Sequence, residues 1–191
     1  MSTFAMTLPA PFFEEATSRT GRPSPMDEAR FEAFYRATAS SLWSYLFRMT
    51  GDRSAADDLL QKAFFRFIRA NPAVESDEHL RRWIFRTATN LALDHFREAK
   101  RDRTHAEQPP RGDGAGEARE LLRHDMMNTF AELKPRERAL LWLAHVEEAD
   151  HEHISEALGV KAKSVKVLLF RARKRLGDLL TKKGLAPEVR R

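Results

Sequence analysis

The C-terminal stretch Lys161–Leu176, KAKSVKVLLFRARKRL, has an apolar face and a basic face when it is drawn as a helix. Its apolar residues recur at offsets of three and four, which is the spacing of one helix face. They are Val165, Leu168, Leu169, Ala172 and Leu176. A rotation of about 100° per residue places Lys163, Val167, Phe170 and Lys174 on the opposite side. The pattern predicts a helix that packs on a core and offers positive charge outward.

A short helix and a glycine precede this stretch. Asp150 can cap the segment HEHISEAL, and Gly159 follows where the chain must turn with a positive φ. This order is that of a helix-turn-helix, whose second helix enters the DNA major groove. Between Lys161 and Arg191 there are eleven Lys or Arg and two acids, a net charge of +9. Such a density favours binding to phosphates over the alternative, a helical hairpin with a solvated basic face.

The composition excludes several classes of protein. The 191 residues carry a net charge of +5, and the sequence contains no cysteine, which excludes disulfides, cysteine zinc sites and thiol chemistry. No apolar run approaches the roughly 18 residues that span a bilayer. The N-terminus lacks a basic leader and is interrupted by Pro9 and Pro11, unlike a secretory signal. We therefore expect a cytoplasmic protein without membrane insertion.

Helical periodicity runs through two parts of the chain, and we predict an all-α fold of two small helical domains joined by a flexible linker. The linker stretch THAEQPPRGDGAG has no large apolar side chain and gathers prolines and glycines. The C-terminal domain is predicted to be a helix-turn-helix. The predicted segments are a flexible extension over 1–25, a helical domain over 26–103, the linker over 104–118, the helix-turn-helix domain over 119–180 and a basic tail over 181–191.

The second helix of the N-terminal domain has a polar face beside its buried stripe. Ser54 is predicted to cap this helix, with Asp57 completing a capping box. The predicted stripe consists of Leu60, Ala63, Phe64 and Phe67. Phe65 lies off the stripe among charged residues, which is typical of a surface that binds a partner.

The third helix begins near Asp77 and carries an arginine stripe opposite its apolar stripe. The apolar stripe consists of Leu80, Ile84, Thr87, Ala88 and Leu91, and the opposite one of Arg82, Arg86, Asn90, Leu93 and Arg97. Arginine and asparagine can reach phosphates and base edges, and Trp83 and Phe96 can stack on an unpaired base. The alternatives are a core position for Trp83 and solvated arginines.

Taken together, the chain resembles the extracytoplasmic-function (ECF) sigma factors, two-domain members of the sigma-70 family of bacterial transcription initiation factors. The resemblance covers Phe31–Arg103 and Phe130–Leu176. It rests on the stretches GDRSAADDLLQKAFFRFIRA, LRRWIFRTATNLALDHFREAKR and LKPRERALLWLAHVEEADHEHISEALGVKAKSVKVLLFRARKRL, in this order around the linker.

The resemblance implies three binding surfaces. The residues that would dock on the clamp of the largest subunit of core RNA polymerase are Asp57, Asp58, Gln61 and Phe65. Those that would touch the minus-ten promoter element and help melt it are Arg82, Arg86, Asn90, Arg97, Lys100 and Arg101. Those that would read the minus-thirty-five element are Lys161, Lys163, Ser164, Lys166, Val167, Phe170, Arg171 and Lys174.

The resemblance also implies the partners and the class of function. The partners would be promoter DNA, the clamp and flap of the polymerase, and, as in many members, an anti-sigma factor. No catalytic residue, cofactor or metal site is expected, because the polymerase performs the chemistry and because His151 and His153, two residues apart, do not share a helix face. A stand-alone helix-turn-helix regulator is the alternative, but it leaves the Asp57 helix and the Arg82 stripe without a role.

Two segments depart from the family pattern. Lys62 stands where an acidic residue usually follows Gln61, in the part that would contact the polymerase. Residues 166–170 read KVLLF where the family often has Lys-Ser-Arg-Leu-His, so that Val167 and Phe170 could meet thymine methyl groups. A promoter sequence therefore cannot be transferred from the family.

Overall fold

The computed structural model describes residues 26–72, 76–102 and 118–185, and within these residues the chain forms α-helices and no strand. The predicted extension over 1–25, nearly all of the predicted linker and residues 186–191 lie outside them. The helices are α1 (Glu28–Thr50), α2 (Arg53–Ala70), α3 (Asp77–Asp102), α4 (Ala118–Ala131), α5 (Pro135–His145), α6 (His151–Leu158) and α7 (Ala162–Lys182). The prediction of an all-α fold with two helical domains is confirmed, with α1–α3 in the first domain and α4–α7 in the second.

The first turn between helices follows from local chemistry. Gly51 adopts a φ of 74° and its N–H donates to the carbonyl of Phe47, which ends α1. The predicted cap of α2 at Ser54 is wrong. Asp52 caps this helix instead, its carboxylate accepting from the N–H of Ala55 at 3.1 Å, because the helix already begins at Arg53.

The buried face of α2 also differs slightly from the prediction. Leu60 is only partly buried, and the deep positions besides Ala63, Phe64 and Phe67 belong to Ala56 and Leu59. The reason is that α2 packs against both α1 and α3, which buries a wider arc than one stripe.

An aromatic cluster forms the core of the first domain. The ring of Phe67 stacks on that of Phe34 at 5.0 Å between centroids and meets Trp83 edge-on at 5.5 Å. The Trp83 ring therefore packs on the core, which was the alternative to stacking on an unpaired base. Phe85, which lies outside the predicted apolar stripe of α3, is fully buried.

A hydrogen-bonded pair lies deep between α1 and α3. The Thr89 hydroxyl donates to the Phe85 carbonyl, which leaves its oxygen to accept from the Tyr45 hydroxyl at 2.7 Å. Burial raises the pKa of Tyr45. The pair satisfies two polar groups that would otherwise destabilise the core.

The second domain has the predicted helix-turn-helix. Pro135 occupies the first turn of α5, and the Asp150 carboxylate accepts from the N–H of His153 at 2.7 Å to cap α6. Gly159 ends α6 with a φ of 61°. On α7, Val165, Leu169 and Ala172 are buried as predicted, while Leu168 and Leu176 are partly buried.

The two domains pack against each other. Helix α6 lies on α3, and α5 contacts α1 and α3. The ring of Trp142 on α5 lies 6.0 Å from that of Tyr45 on α1, and the buried Trp142 indole N–H has no hydrogen-bond partner among the described residues. The buried side chains of both domains therefore form one continuous cluster.

Candidate nucleic-acid and polymerase interfaces

The outer side of α7 carries the predicted duplex-reading residues, and we call this surface the recognition face. It consists of Lys161, Lys163, Ser164, Lys166, Val167, Phe170, Arg171 and Lys174. All except the half-buried Ser164 are exposed, and Phe170 exposes 67% of its surface. Within the described part of the chain, no carboxylate pairs with Lys163, Lys166 or Lys174. The face is thus basic, unneutralised and apolar at its centre.

Two neighbouring arginines on α7 have a different role. Arg173 donates to the imidazole of His145 at 3.1 Å, and Arg175 lies 3.3 Å from the carboxylate of Glu137. Both partners belong to α5, so these arginines fix α7 on the body of the second domain. Neither arginine was among the residues assigned to the recognition face from the sequence.

The outer side of α2 carries the predicted polymerase-binding residues Asp57, Asp58, Gln61 and Phe65, all of which are exposed. Asp57 already accepts from the indole N–H of Trp43 at 2.6 Å. Phe65 is 54% exposed and lies under the guanidinium of Arg69. Ile68, which the sequence analysis did not select, extends the apolar patch three residues further along the same face.

The predicted arginine stripe on α3 is divided into two parts. Asn90, Arg97, Lys100 and Arg101 are exposed, and Arg97 pairs with Asp94. Arg82 and Arg86 are only partly exposed because α6 lies against them. Leu93, which was assigned to the same stripe, is buried.

Arg82 and Arg86 each meet an acid of the second domain. Arg82 lies 2.7 Å from Glu78 on its own helix and 3.0 Å from Asp150, the cap of α6. Arg86 lies 3.4 Å from Glu156 on α6. Two residues expected to touch DNA are therefore paired within the protein.

Two further arginines at the domain contact were not selected from the sequence. Arg81 binds Glu147, whose side chain is 4% exposed, at 2.6 Å. Arg138 on α5 is buried; it donates to the carbonyl of Met49 and stacks on Phe96. Burial lowers the pKa of Arg138 to about 10. One feature of the sequence indicates that Arg138 is buried, because it begins the apolar run RALLWL, whose other residues pack on the core.

His153 lies at the same contact. Burial lowers its pKa, the charge of Arg82 acts in the same direction, and the nearby Asp150 and Glu156 oppose the shift. The Nε2 atom of its imidazole is buried and has no hydrogen-bond partner within the described part of the chain. Burial and the charge of Arg82 therefore both favour the neutral imidazole in the folded protein.

We expect the folded protein to lose stability as the pH falls below about 6.5, the pKa of an unfolded histidine. Below that pH the unfolded chain takes up a proton at His153 more readily than the folded chain does. The free energy of unfolding therefore falls by at most about 1.4 kcal/mol per pH unit. Urea unfolding at several pH values measures this, and H153Q should flatten the slope whereas H151Q, at an exposed position, should not. An equal slope in H153Q and the unaltered protein would contradict the assignment.

Neither a metal centre nor a membrane span is present in the described part of the molecule. No group of three His, Asp or Glu side chains there is arranged to hold a metal ion. No helix among 26–72, 76–102 and 118–185 is long and apolar enough to cross a membrane.

Comparison with known proteins accounts for both domains. The family model described as Sigma-70 region 2 matches residues 34–102, and the model described as Sigma-70, region 4 matches residues 123–176. The first match covers most of α1–α3, and the second covers α5 and α6 together with parts of α4 and α7.

Curated relatives extend over both domains. The RNA polymerase sigma-E factor of Streptomyces coelicolor is 31% identical over 81% of this chain and 88% of its own length. The ECF RNA polymerase sigma factor SigM of Bacillus subtilis is 29% identical over 78% of this chain and 93% of its own length. SigE of Mycolicibacterium smegmatis is also 29% identical, but the match spans only 62% of that longer protein.

Solved structures share the fold. The sigma factor RpoE of Bartonella quintana, solved in complex with the anti-sigma factor NepR, superposes with a TM-score of 0.63 at 18% identity, over 79% of this chain and 96% of that one. CnrH, solved with the cytosolic domain of CnrY, gives a TM-score of 0.60 at 22% identity, over 82% and 90%. With both regions matched and relatives aligned along most of its length, the chain belongs to the ECF sigma factors, transcription initiation factors of the sigma-70 family.

Proposed function

We propose that this sigma factor binds core RNA polymerase through the exposed face of α2 and directs it to promoters that it reads through the recognition face of α7. In this proposal the exposed residues of α3, together with Arg82 and Arg86, contact the minus-ten element and hold its separated strands. The protein itself performs no covalent chemistry, which is left to the polymerase.

The observation that carries the proposal is the state of the recognition face. Among the residues that the structure describes, its lysines have no carboxylate partner, so phosphate binding would release counterions without first breaking ion pairs. Val167 and Phe170 stand between these lysines, and exposed apolar side chains there suit contact with thymine methyl groups in a major groove. Phosphate contacts would set affinity, and the two apolar residues would help set sequence preference.

The α2 face suits a different partner. It combines the carboxylates of Asp57 and Asp58 with the apolar patch of Phe65 and Ile68, and such a mixture is typical of protein interfaces rather than of DNA contacts. In this proposal the face of α2 therefore binds polymerase, and the recognition face of α7 binds duplex DNA.

The test is transcription in vitro from a fragmented genomic library. Purified core RNA polymerase is assayed with and without the protein, and the transcript starts are mapped. Discrete new starts that share two upstream sequence elements are expected. Binding to duplex DNA without any new start would overturn the proposal and leave a stand-alone regulator.

An anti-sigma protein is proposed as a further partner, because both structural relatives were solved in complex with a second protein. That protein is the anti-sigma factor NepR in one structure and the cytosolic domain of CnrY in the other. Affinity purification of the tagged chain from its own cells is expected to recover a small protein besides polymerase. Repeated recovery of polymerase subunits alone would count against such an inhibitor.

We expect F65A to weaken binding to core RNA polymerase about 10-fold, or about 1.4 kcal/mol, because an exposed aromatic on a protein interface often contributes at least this much. Fluorescence anisotropy of the labelled sigma factor measures the affinity. R66A, at the next position and also exposed, is the control and should bind as the unaltered protein does. Equal affinities for F65A and R66A would move the polymerase contact away from this face.

A further inference from the structure

We propose that residues 12–15 of this chain, FFEE, bind in an apolar groove on the surface of the second domain. The groove lies apart from the DNA-binding and polymerase-binding faces proposed above. None of the residues that line it belongs to α2, to α3 or to the recognition face. The inference is therefore independent of the proposed function.

The groove lies between α4, α5 and α7 and has a volume of about 430 Å³. This volume is within the range of protein sites that hold a ligand. Its apolar lining consists of Phe130, Leu141, Trp142, Val146, Leu176 and Leu180. Val146 exposes 54% of its surface, although covering an apolar side chain is favourable. The groove thus offers an apolar surface to an occupant.

Gly177 in the interior of α7 also lines the groove. Glycine destabilises a helix interior relative to alanine. The φ of Gly177 is not positive, and a Cβ atom at this position would meet no atom within 4 Å. Neither the backbone conformation nor crowding among the described residues therefore requires glycine here. The absent side chain does leave room for an occupant to approach the backbone of α7.

The polar part of the lining consists of Arg173 and His145. The Arg173 guanidinium donates to the His145 imidazole at 3.1 Å, and it has no carboxylate partner within the described ranges. An imidazole carries no negative charge, so the positive charge of Arg173 is not balanced at this place. The groove therefore suits an apolar segment that also carries a carboxylate.

Residues 12–15 have this combination of side chains. Outside the described residues, the large apolar side chains are concentrated in residues 1–25, because 73–75 and 186–191 contain one valine each and 103–117 contain none. Within residues 1–25, only FFEE places aromatic side chains directly beside carboxylates. In the proposed contact the two phenylalanines cover the apolar lining, and a glutamate pairs with Arg173.

The chain is long enough to reach the groove. Phe13 lies 13 residues before Met26, and at about 3.5 Å per residue this stretch spans up to about 45 Å. Trp142 in the lining is 6.0 Å from Tyr45, which lies about 25 Å along α1 from Glu28. Because the segment belongs to the same chain, its effective concentration at the groove is in the millimolar range, and even a weak contact would be populated.

The test is the rate of intramolecular disulfide formation in the full-length chain, which contains no cysteine of its own. A16C places a thiol directly after FFEE, and V146C places the second thiol in the groove. A16C/R66C is the control pair. Arg66 is exposed on α2, five residues before Asn71, whose side chain accepts from the backbone N–H of Met26. A segment without a docking site would therefore meet position 66 at least as often as position 146.

We expect the disulfide of A16C/V146C to form about 5-fold faster than that of A16C/R66C in the same redox buffer. Addition of F12S/F13S should slow the reaction of A16C/V146C about 10-fold, because the apolar contact is lost. F4S/M6S removes two apolar side chains from the same segment and should change the rate less than about 2-fold, since they lie outside FFEE.

G177F fills the groove from the side of α7 and should slow the reaction of A16C/V146C about 10-fold. The space around Gly177 accommodates the new side chain, and urea unfolding checks that the variant folds. A rate that G177F leaves unchanged would overturn the inference, as would equal losses in F12S/F13S and F4S/M6S or a faster reaction in A16C/R66C. Disulfides that form between chains and increase with protein concentration would assign the groove to a second copy instead.

Discussion

Replacement of Phe67 by alanine is expected to lower the free energy of unfolding by about 3–5 kcal/mol. The Phe67 side chain is 1% exposed and contacts the rings of Phe34 and Trp83, so the variant would leave a cavity where α1, α2 and α3 meet. The surrounding helices are closely packed, so they could fill this cavity only if whole helices moved. Equilibrium unfolding in urea gives the magnitude.

Phe65, two residues earlier on the same helix, provides the matched control. It carries the same side chain but is exposed, so F65A should change the stability by no more than about 0.5 kcal/mol. The pair of variants separates burial from residue type. A small loss in F67A, comparable with that in F65A, would contradict the described packing of α2.

Charge reversal at Lys163 and Lys174 is expected to weaken binding to duplex DNA about 100-fold, or about 2.7 kcal/mol, and to do so for all sequences alike. Each lysine would lose a phosphate contact and gain a repulsion. The slope of log K against log salt concentration should fall by about two. Titration of promoter fragments from the transcription experiment at several salt concentrations measures both quantities.

The control for this variant is K62E/R66E, which makes the same change of net charge on exposed positions of α2. It should retain most of the affinity, since long-range repulsion is screened beyond about 8 Å at physiological salt. F170A should instead alter the preference among sequences more than the overall affinity. If K163E/K174E binds as well as K62E/R66E, the recognition face has been placed on the wrong side of α7.

Local patterns were sufficient to predict the helices and the outward face of α7. Gly51, Asp150 and Gly159 act through their immediate neighbours, so the sequence contains the whole cause of the turns that they make. The prediction of the N-cap of α2 was wrong. Ser54 and Asp52 lie two residues apart, and the side chain of either can accept from a helix N-terminus, so the local pattern does not decide between them.

The domain contact could not be predicted in the same way. Arg82, Arg86 and Arg97 are indistinguishable by spacing, yet α6 covers the first two and leaves the third exposed. Which arginines are covered depends on how two domains separated by a long linker pack, and helical periodicity contains no information about that. Arg138 shows the same limit, because its partner, the Met49 carbonyl, lies 89 residues away.

The three tryptophans lie in three different environments, which gives the protein natural fluorescent reporters. Trp142 packs beside Tyr45 across the domain contact, and its buried indole N–H has no partner in residues 26–72, 76–102 and 118–185. Separation of the domains would let water reach this N–H and shift its emission to longer wavelength. Trp43 donates to Asp57 on the face of α2 that we propose binds polymerase, and Trp83 is held against Phe67. Single-tryptophan versions of the chain could therefore record opening of the domains and docking on polymerase as two separate optical signals, without any attached dye.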